Sequence, residues 1–315
     1  MGQERTEFAT CRIFRFEADR PPVRQIQGHL RADGVVRYCD PFLKAEALGG
    51  RLQWDELGNT HSLRWPSTAI PGELPCKLRG AEESAKSGRV PVACEVLRRM
   101  ALLPNRDFCL AVSLTGPITL ATRILQFDES CERTISDYSS DVLDLANSTT
   151  TQIAMSFLEA GAELILIQED IIPAITAENC EAWMTYLAPI LNVARFYGAL
   201  PALQIQKLNF SQESYDAVLQ QPWDCVICLP LDTSRSRASK APALNHGTML
   251  GISVPTGIFM TKNATDQTLR QLLPSVIGDF RTVLVTTQSD VPGSADMKTV
   301  ISVLQDIRGL VTGST

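Results

Sequence analysis

The sequence lacks the features that mark membrane proteins, secreted proteins and nucleic-acid-binding proteins. No apolar stretch reaches the roughly 18 residues that a membrane-spanning helix needs, and the first twenty residues, MGQERTEFATCRIFRFEADR, are charged and contain no apolar signal core. No basic block stands out, and the formal net charge of −6 gives little attraction for nucleic acid or an anionic membrane. We therefore expect a cytoplasmic protein that has neither a nucleic-acid partner nor a membrane partner.

Signatures of metal and dinucleotide binding are also missing. The nine cysteines are scattered along the chain, an odd count that favours reduced thiols over a disulfide framework. Cys225 and Cys228 form a lone C-x-x-C inside an apolar run, without the second ligand pair that a structural zinc site needs. No G-x-G-x-x-G follows a predicted strand. We expect these cysteines to be structural, and we expect no metal and no organic cofactor.

What the sequence does contain, from Asp107 onward, is a regular alternation of apolar runs and amphipathic segments. Apolar runs predict buried strands, and apolar residues spaced three or four apart predict helices. The alternation predicts a parallel sheet covered on both faces, which fits either a closed (β/α)8 barrel or a doubly wound sheet. Strands are predicted at 108–117, 162–170, 201–206, 224–230, 248–254 and 282–288, and helices at 88–100, 134–160, 177–197, 211–220, 264–277 and 294–310.

The first 100 residues are irregular by comparison. Turn signals such as Pro21-Pro22, Asp33-Gly34 and Gly49-Gly50 interrupt them, and no periodic core of their own is visible. We expect an N-terminal elaboration over residues 1–100 that covers one side of the barrel. It would belong to a single domain, 1–315, whose regular βα units occupy 101–315.

In a barrel of this kind, functional residues lie at the C-terminal ends of the strands. Strand position alone therefore selects a short set of polar residues: Thr115, Gly116, Glu169, Asp170, Gln204, Gln206, Asp232, Ser253, Gln288 and Asp290.

Four segments resemble the uroporphyrinogen decarboxylase superfamily, which includes cobalamin-linked methyltransferases and is related to cobalamin-independent methionine synthase. VSLTGPITLATRIL (112–125) is similar to the family's strand, T-G-P-x-T-L turn and helix, and FLEAGAELILIQED (157–170) resembles its EAGAD element. The other two are VTTQSDVPGSADMKTVISVL (285–304) and GRVPVACEVLRRM (88–100). The resemblance implies a (β/α)8 TIM-type barrel with a pocket at the C-terminal ends of its strands and, by analogy, a homodimer.

In the methyltransferase branch, the resemblance implies zinc ligands at three positions, which are Gln204, Gln206 and Gln288 in this chain. A glutamine amide is a poor zinc ligand compared with imidazole or thiolate. We therefore expect no zinc-activated thiol. Because each amide offers two donors and an acceptor, the trio can instead hold a carboxylate, a phenol or a pterin-like ring. The other interpretation is that the amides satisfy buried backbone groups.

In the decarboxylase branch, the resemblance implies a tyrosine just after the G-x-P-x-T-L turn, where this chain has Arg123. A guanidinium suits a carboxylate, so Arg123 is a candidate substrate-binding residue, the alternative being a solvated or salt-bridged helix residue. The family's arginine-rich N-terminal motif is not recognisable. Uroporphyrinogen itself is therefore not the expected substrate.

Glu169 and Asp170 are the candidate acids, because both end a predicted buried strand. Adjacent strand residues point to opposite faces, so only one of the two faces the lumen. There a carboxyl group can act as a general acid or base, and the alternative is a salt bridge or a helix cap. Asp232 is placed at the pocket rim, beside the basic loop 233–240, which is either a lid that attracts an anionic substrate or a solvated loop.

The first functional prediction is a cofactor-independent decarboxylase-like lyase acting on a small carboxylated aromatic or heterocyclic substrate. Arg123 would bind the carboxylate, Glu169 or Asp170 would protonate the carbanion-like carbon, and the glutamines would orient the ring. The alternatives are a zinc-independent methyl or alkyl transferase and a non-catalytic ligand-binding barrel.

Overall fold

The computed structural model describes residues 11–14, 33–37, 40–54, 60–65, 72–75, 77–104, 106–127, 133–170, 179–205, 225–230, 249–260, 282–289, 291 and 294–312. Ten strands lie in this part of the chain: β1 (Cys11–Phe14), β2 (Gly34–Arg37), β3 (Arg51–Trp54), β4 (Thr60–Arg64), β5 (Cys109–Thr115), β6 (Leu164–Glu169), β7 (Leu200–Ile205), β8 (Val226–Pro230), β9 (Met249–Val254) and β10 (Thr282–Thr287).

Eight of these strands form a closed parallel barrel. Their order around it is β1, β2, β5, β6, β7, β8, β9 and β10, and β1 pairs with both β2 and β10. β3 and β4 pair only with each other, as an antiparallel ribbon. The expected (β/α)8 barrel is confirmed, and the doubly wound sheet is excluded because the sheet has no open edge.

The N-terminal region contributes more than a cover to this barrel. β1 and β2 lie within the first 100 residues, and both are barrel strands. The prediction of a purely irregular elaboration over 1–100 is therefore wrong for these two segments. Each is only four residues long and includes an arginine, so neither gives the continuous apolar run by which the later strands were found.

The helices follow the predicted order. The four that were predicted and described begin and end within four residues of the predicted bounds except at the start of α5 (Ser140–Glu159), which a 3-10 turn (Ile135–Asp137) precedes. Gly161 ends α5 with a φ of 102°, as expected of a glycine at a helix end. The predicted helices at 211–220 and 264–277 lie outside the described residues. The helices are α1 (Leu43–Ala47), α2 (Ala81–Ser84), α3 (Val90–Ala101), α4 (Pro117–Ile124), α5 (Ser140–Glu159), α6 (Cys180–Phe196) and α7 (Met297–Thr312).

Two sets of buried side chains alternate along the barrel strands. One set packs with the surrounding helices and includes Val112, Leu114, Ile165, Ile167, Leu203, Ile205 and Ile227. The other set packs only with residues of other strands, so it fills the lumen: Val36, Ala111, Leu164, Leu166, Ala202, Val226, Cys228 and Leu284.

Cys225 and Cys228 belong to these opposite sides, because Cys225 packs in the outer core and Cys228 in the lumen. These opposite positions agree with the period of two in a strand, because residues three apart point to opposite faces. None of the helices in the described part of the chain is long and apolar enough to cross a bilayer.

Candidate functional site

A polar layer lies above the apolar floor of the lumen. Ser113 of β5 donates a hydrogen bond to Oε1 of Gln168 on β6, and Nε2 of Gln168 donates to Oε1 of Gln204 on β7 at 3.1 Å. Nε2 of Gln204 then donates to Oγ of Ser253 on β9 at 2.9 Å and to the carbonyl of Thr287 on β10 at 2.8 Å. Because β7 adjoins neither β9 nor β10, these bonds cross the lumen.

The Thr287 carbonyl fixes the direction of this whole chain of bonds. A carbonyl can only accept, so the atom of Gln204 that faces it must be the nitrogen. The Gln204 oxygen must then accept from the nitrogen of Gln168, and the Gln168 oxygen must accept from the Ser113 hydroxyl. The two amides therefore have one orientation each, and they form an uncharged, hydrogen-bonded layer.

Gln204 does not fit the zinc ligand that the resemblance implies at its position. The side chain is fully buried, and its oxygen already accepts a hydrogen bond from Gln168. An amide oxygen is a weak donor to zinc even when it is free. Within the described residues, no three His, Cys, Asp or Glu side chains cluster closely enough to hold a metal ion.

Glu169 faces away from the lumen, towards the beginning of α4. Ile167, two residues earlier on β6, packs in the outer core, and Gln168 lies in the lumen layer. The alternation of the strand therefore puts Glu169 on the outer side. Its carboxylate accepts bonds from the backbone N–H groups of Ile118 (3.1 Å) and Thr119 (2.8 Å) and from the Thr119 hydroxyl (2.7 Å). Both oxygens are thus used to cap α4, a favourable place for a negative charge.

The turn before α4 is shaped around this carboxylate. A Cβ added to Gly116 would lie 2.1 Å from Cδ and Oε1 of Glu169, so only glycine leaves room for it. Glu169 is 0% exposed, and burial raises the pKa of its carboxyl to about 7, against the opposing effect of the Thr119 and Ile118 hydrogen bonds and the charge of Lys44.

Lys44 of α1 is the buried countercharge. It is 2% exposed, and its Nζ donates to the Thr150 hydroxyl at 3.2 Å. That hydroxyl donates its own proton to the Ala146 carbonyl, which leaves it an acceptor for the lysine. Burial lowers the pKa of Lys44 to about 7, partly offset by the nearby charges of Glu169 and Asp170. Sequence reasoning missed Lys44, because a single lysine in a short helix gives no signal of burial.

Asp170 is the first residue after β6, and it would follow Leu164, Leu166 and Gln168 on the lumen side if the alternation of the strand continued. Its Oδ2 lies 3.4 Å from Nη2 of Arg123, and both side chains are partly exposed. The contacts of Glu169 with α4 place that acid outside the lumen, whereas the lumen side of Asp170 stays a prediction.

Arg123 lies at the same edge of the barrel, where it has three neighbours. Besides Asp170, its Nη1 donates to the Pro41 carbonyl at 2.8 Å, and its guanidinium lies 5.8 Å from the centre of the Phe42 ring. Of the two interpretations weighed for Arg123, the salt-bridged residue is therefore present in this structure. The Arg123 side chain nevertheless remains 15% exposed.

The loop that contains Pro41 and Phe42 is held from the other side as well. Arg89 forms ion pairs with Asp40 and, at 2.6 Å, with Glu46, and Asp40 accepts the backbone N–H of Phe42 at 2.8 Å. The Thr115 hydroxyl adds a bond to the Pro41 carbonyl at 3.2 Å. This loop follows β2, so a strand end that sequence reasoning did not find places an aromatic ring beside Arg123.

The structure brings Arg123 and Asp170 together. Gln204 lies in the lumen layer, in register with Gln168 two residues before Asp170, and Glu169 lies on the outer side against α4. Gln288, at the next lumen-facing position after Thr286, is partly exposed and donates its backbone N–H to the Val254 carbonyl at 2.8 Å. Gln206, Asp232 and Asp290 lie outside the described residues.

Comparison with known proteins gives one family and several similar structures. The family model for uroporphyrinogen decarboxylase (URO-D) matches residues 22–271. A methyltransferase from Methanosarcina mazei is 15% identical, with a TM-score of 0.62, over 90% of this chain and 81% of that one. A putative vitamin-B12-independent methionine synthase from Listeria monocytogenes is 11% identical, with a TM-score of 0.57, over 92% of this chain and 83% of that one. No curated protein sequence matches the chain.

Proposed function

The chain belongs to the uroporphyrinogen decarboxylase family, and on that premise we propose that it is a cofactor-independent carboxy-lyase. Its substrate would be a small carboxylated aromatic or heterocyclic acid bound in the barrel mouth. The wider superfamily includes both decarboxylases and methyltransferases, so the choice of reaction depends on the residues of the site.

The observation that carries the proposal is the pairing of the partly exposed Arg123 with Asp170, two residues beyond Gln168 of the lumen layer. A partly exposed guanidinium can exchange its contact with Asp170 for a substrate carboxylate, which it binds in a bidentate manner. Asp170 is the acid that remains after Glu169 is assigned to the helix cap. The Phe42 ring lies beside the guanidinium and offers a face on which an aromatic substrate can stack.

The proposed reaction has one bond-breaking step and one proton transfer. The bond between the ring carbon and the leaving carboxylate breaks, carbon dioxide departs, and the electron pair stays on the ring carbon. The Asp170 carboxyl group donates a proton to that carbon and is then reprotonated from solvent. Gln168, the partly exposed amide of the uncharged layer, supports the other face of the ring without adding charge to the carbanion.

The role of Arg123 sets a condition on the substrate. A guanidinium that gripped the departing carboxylate would stabilise the bound substrate at least as much as the transition state, and it would not raise the rate. Arg123 therefore fits a second carboxylate that stays on the product. We expect aromatic or heterocyclic dicarboxylic acids to be better substrates than the corresponding monocarboxylic acids.

Release of labelled carbon dioxide from a panel of carboxyl-¹³C dicarboxylic acids tests this function. Asp170→Asn should lower kcat by about 100-fold or more, as expected for the loss of a general acid. Arg123→Gln should act mainly by raising KM. The control is Asp141→Asn, which alters an exposed carboxylate on α5 and should leave both constants unchanged. The proposal fails if no acid releases carbon dioxide, or if Asp170→Asn retains the wild-type kcat.

A methyl or alkyl transferase that needs no zinc is the second candidate. The partly exposed amide of Gln168 favours it, because a hydrogen-bonding group without charge suits the edge of a neutral pterin-like ring. Incubation with methylcobalamin or methyltetrahydrofolate as the donor separates the two functions. Methyl transfer without carbon dioxide release would favour the transferase, and the reverse result would favour the lyase.

A further inference from the structure

The buried carboxylate of Glu169 contacts the first turn of α4, on the outer side of the barrel wall. We propose that Glu169 is a positioning residue, which fixes the location of Asp170 through the hydroxyl group of Thr119. The inference rests on the proposed function, because it takes Asp170 as the proton donor of the site.

The groups that hydrogen-bond to the Glu169 carboxylate are donors. The backbone N–H groups of Ile118 and Thr119 and the Thr119 hydroxyl all donate to its two oxygens, at 3.1, 2.8 and 2.7 Å. Backbone N–H groups cannot reverse, so this site is built for a group that accepts at both oxygens. A glutamine would have the same shape, but its amide nitrogen would face a donor. The arrangement therefore selects a carboxylate rather than any polar side chain of that size.

The Thr119 hydroxyl links Glu169 to Asp170. The backbone N–H of Asp170 donates to the Thr119 hydroxyl oxygen at 2.9 Å. When Glu169 is ionised it can only accept, so the proton of that hydroxyl points towards Glu169 and the oxygen is left to accept from Asp170. Thr119 thus connects two successive residues of the chain. An uncharged side chain at 169 would remove the group that fixes this orientation.

The arrangement around Glu169 is energetically unfavourable in two respects. Position 116 must be glycine so that Glu169 can approach α4, and the charge of Glu169 is buried. Among the described residues, Lys44 on α1 and Tyr138 before α5 interact electrostatically with Glu169, and the charges of Arg123 on α4 and of Asp170 act on Lys44. Burying a charge is expensive unless it is paired and hydrogen-bonded. A simple helix cap needs no such burial, since a surface serine or aspartate serves as well.

The experiment compares four single variants in the full-length protein. Thr119→Val removes the linking hydroxyl at constant shape, and Thr119→Ser retains it. Glu169→Gln removes the charge without touching Asp170 directly. Thr122→Val is the matched control, because Thr122 lies on the same helix and its buried hydroxyl bonds to the Ile118 carbonyl and to Tyr138, away from Asp170.

Two quantities are measured for each variant. The first is the hydrogen-exchange protection of the Asp170 amide, followed by NMR, which needs no substrate. The second is the separate change in kcat and KM for whichever acid the wild type decarboxylates. A positioning role predicts a loss in kcat with little change in KM, whereas general destabilisation would not separate the two constants.

We expect Thr119→Val and Glu169→Gln to lose about tenfold or more of the Asp170 amide protection and about tenfold of kcat, with KM within about threefold. Thr119→Ser and Thr122→Val should keep the wild-type values. The inference is overturned if Glu169→Gln keeps Asp170 fully protected, or if Thr122→Val loses as much protection as Thr119→Val. If the wild type decarboxylates no acid, the proposed function fails, and the exchange measurements still decide the positioning role.

Discussion

Gln204 is the residue on which the polar layer in the lumen depends. It is fully buried, it bonds to groups on β6, β9 and β10, and it uses both its donors and its acceptor. Few side chains other than glutamine can satisfy these three partners at once, because the site requires two donors and one acceptor on a long stem.

Gln204→Leu should therefore lower the free energy of unfolding by more than a change in polarity alone would. It keeps most of the volume but leaves the Thr287 carbonyl, the Ser253 hydroxyl and the Gln168 amide without this partner. Each buried group left unsatisfied costs about 1–3 kcal/mol. We expect the free energy of unfolding in urea to fall by at least about 2 kcal/mol.

The control for this change is Gln305→Leu, which alters an exposed glutamine on α7 and should change the free energy of unfolding by less than about 0.5 kcal/mol. Equal stability of the two variants would mean that the amide layer contributes nothing.

Gly116 and Gly80 form a natural matched pair for testing the turn before α4. Both precede a helix, with φ and ψ of −69° and 165° at Gly116 and −68° and 167° at Gly80. A Cβ at Gly116 would strike Glu169, whereas nothing lies within 4 Å of a Cβ at Gly80.

Gly116→Ala should lower the free energy of unfolding by about 1–3 kcal/mol, as expected for overpacking, and thermal or urea unfolding would measure it. Gly80→Ala has the same backbone angles and should be neutral or slightly stabilising, because alanine restricts the unfolded chain. Similar losses in both variants would show that backbone conformation, rather than the contact with Glu169, requires the glycine.

At this scale the sequence predicts which strand ends matter but not every residue that acts there. The strand LILIQED is apolar on both sides, so nothing in it tells which residues face the lumen, and Gln168 was overlooked beside Glu169 and Asp170. Only the packing of Leu164 and Leu166 in the lumen shows which alternate residues of the strand face inward. Glu169 contacts the first turn of α4, about 50 positions earlier in the sequence, and no local sequence pattern predicts this contact.

The elements around Glu169 form a unit whose stability should depend on pH. Glu169 sits between β6 and the start of α4, and Lys44 is carried by α1. Burial raises the pKa of Glu169 from 4.5 to about 7 and lowers that of Lys44 from 10.5 to about 7.

Between pH 4.5 and 7 the folded state holds more protons at Glu169 than the unfolded state does, so stability from this group falls as pH rises. Between pH 7 and 10.5 the folded state holds fewer protons at Lys44, so stability from this group rises with pH. The joint contribution of the pair is therefore lowest near pH 7.

Urea unfolding of the wild type and two variants across pH 5–9 tests this dependence. Glu169→Gln should remove the decline on the acid side, and Lys44→Met should remove the rise on the alkaline side. Subtracting each variant from the wild type cancels the titration of all other groups. A difference that stays constant with pH would mean that neither group is shifted in the folded protein.

Long elements were easier to predict than short ones. α5 has nine buried residues at helical spacing, and β5 is a mostly apolar, buried run, so both were found. The bounds of β5 and the end of α5 were close to the predicted ones, and the start of α5 was predicted too early. β1 and β2 were missed because four residues contain too few alternations to define a period. Their place in the barrel comes from pairing with strands distant in the sequence, and local propensity does not report such pairing.

Barrel closure is the property of the whole molecule that depends on the shortest strands. β1 pairs with β10 on one side and with β2 on the other, and it is the strand through which the chain's two ends meet. Without it, β2 and β10 would each present an unpaired edge, which invites pairing between molecules.

Ile13→Pro tests closure through the backbone alone. Ile13 is the register partner of Gly34, and proline at this position has no backbone N–H to donate. Such a loss is tolerated poorly inside a sheet. We expect a fall in the free energy of unfolding of about 3 kcal/mol and a greater tendency to aggregate, followed by urea unfolding and light scattering. Ile13→Val retains the N–H and should behave like the wild type. Wild-type stability of the proline variant would mean that β1 is dispensable for the fold.

We propose that the barrel mouth holds a substrate carboxylate at Arg123, next to Asp170. Calorimetric titration with pyrrole-2,5-dicarboxylate tests it most directly, with Arg98→Gln as the control at an exposed arginine on α3. We expect the wild type and Arg98→Gln to bind the probe equally, and Arg123→Gln to bind it about tenfold or more weakly, as expected for the loss of a charge-assisted pair. Equal binding by Arg123→Gln and the wild type, or no binding by any of the three proteins, would contradict the claim.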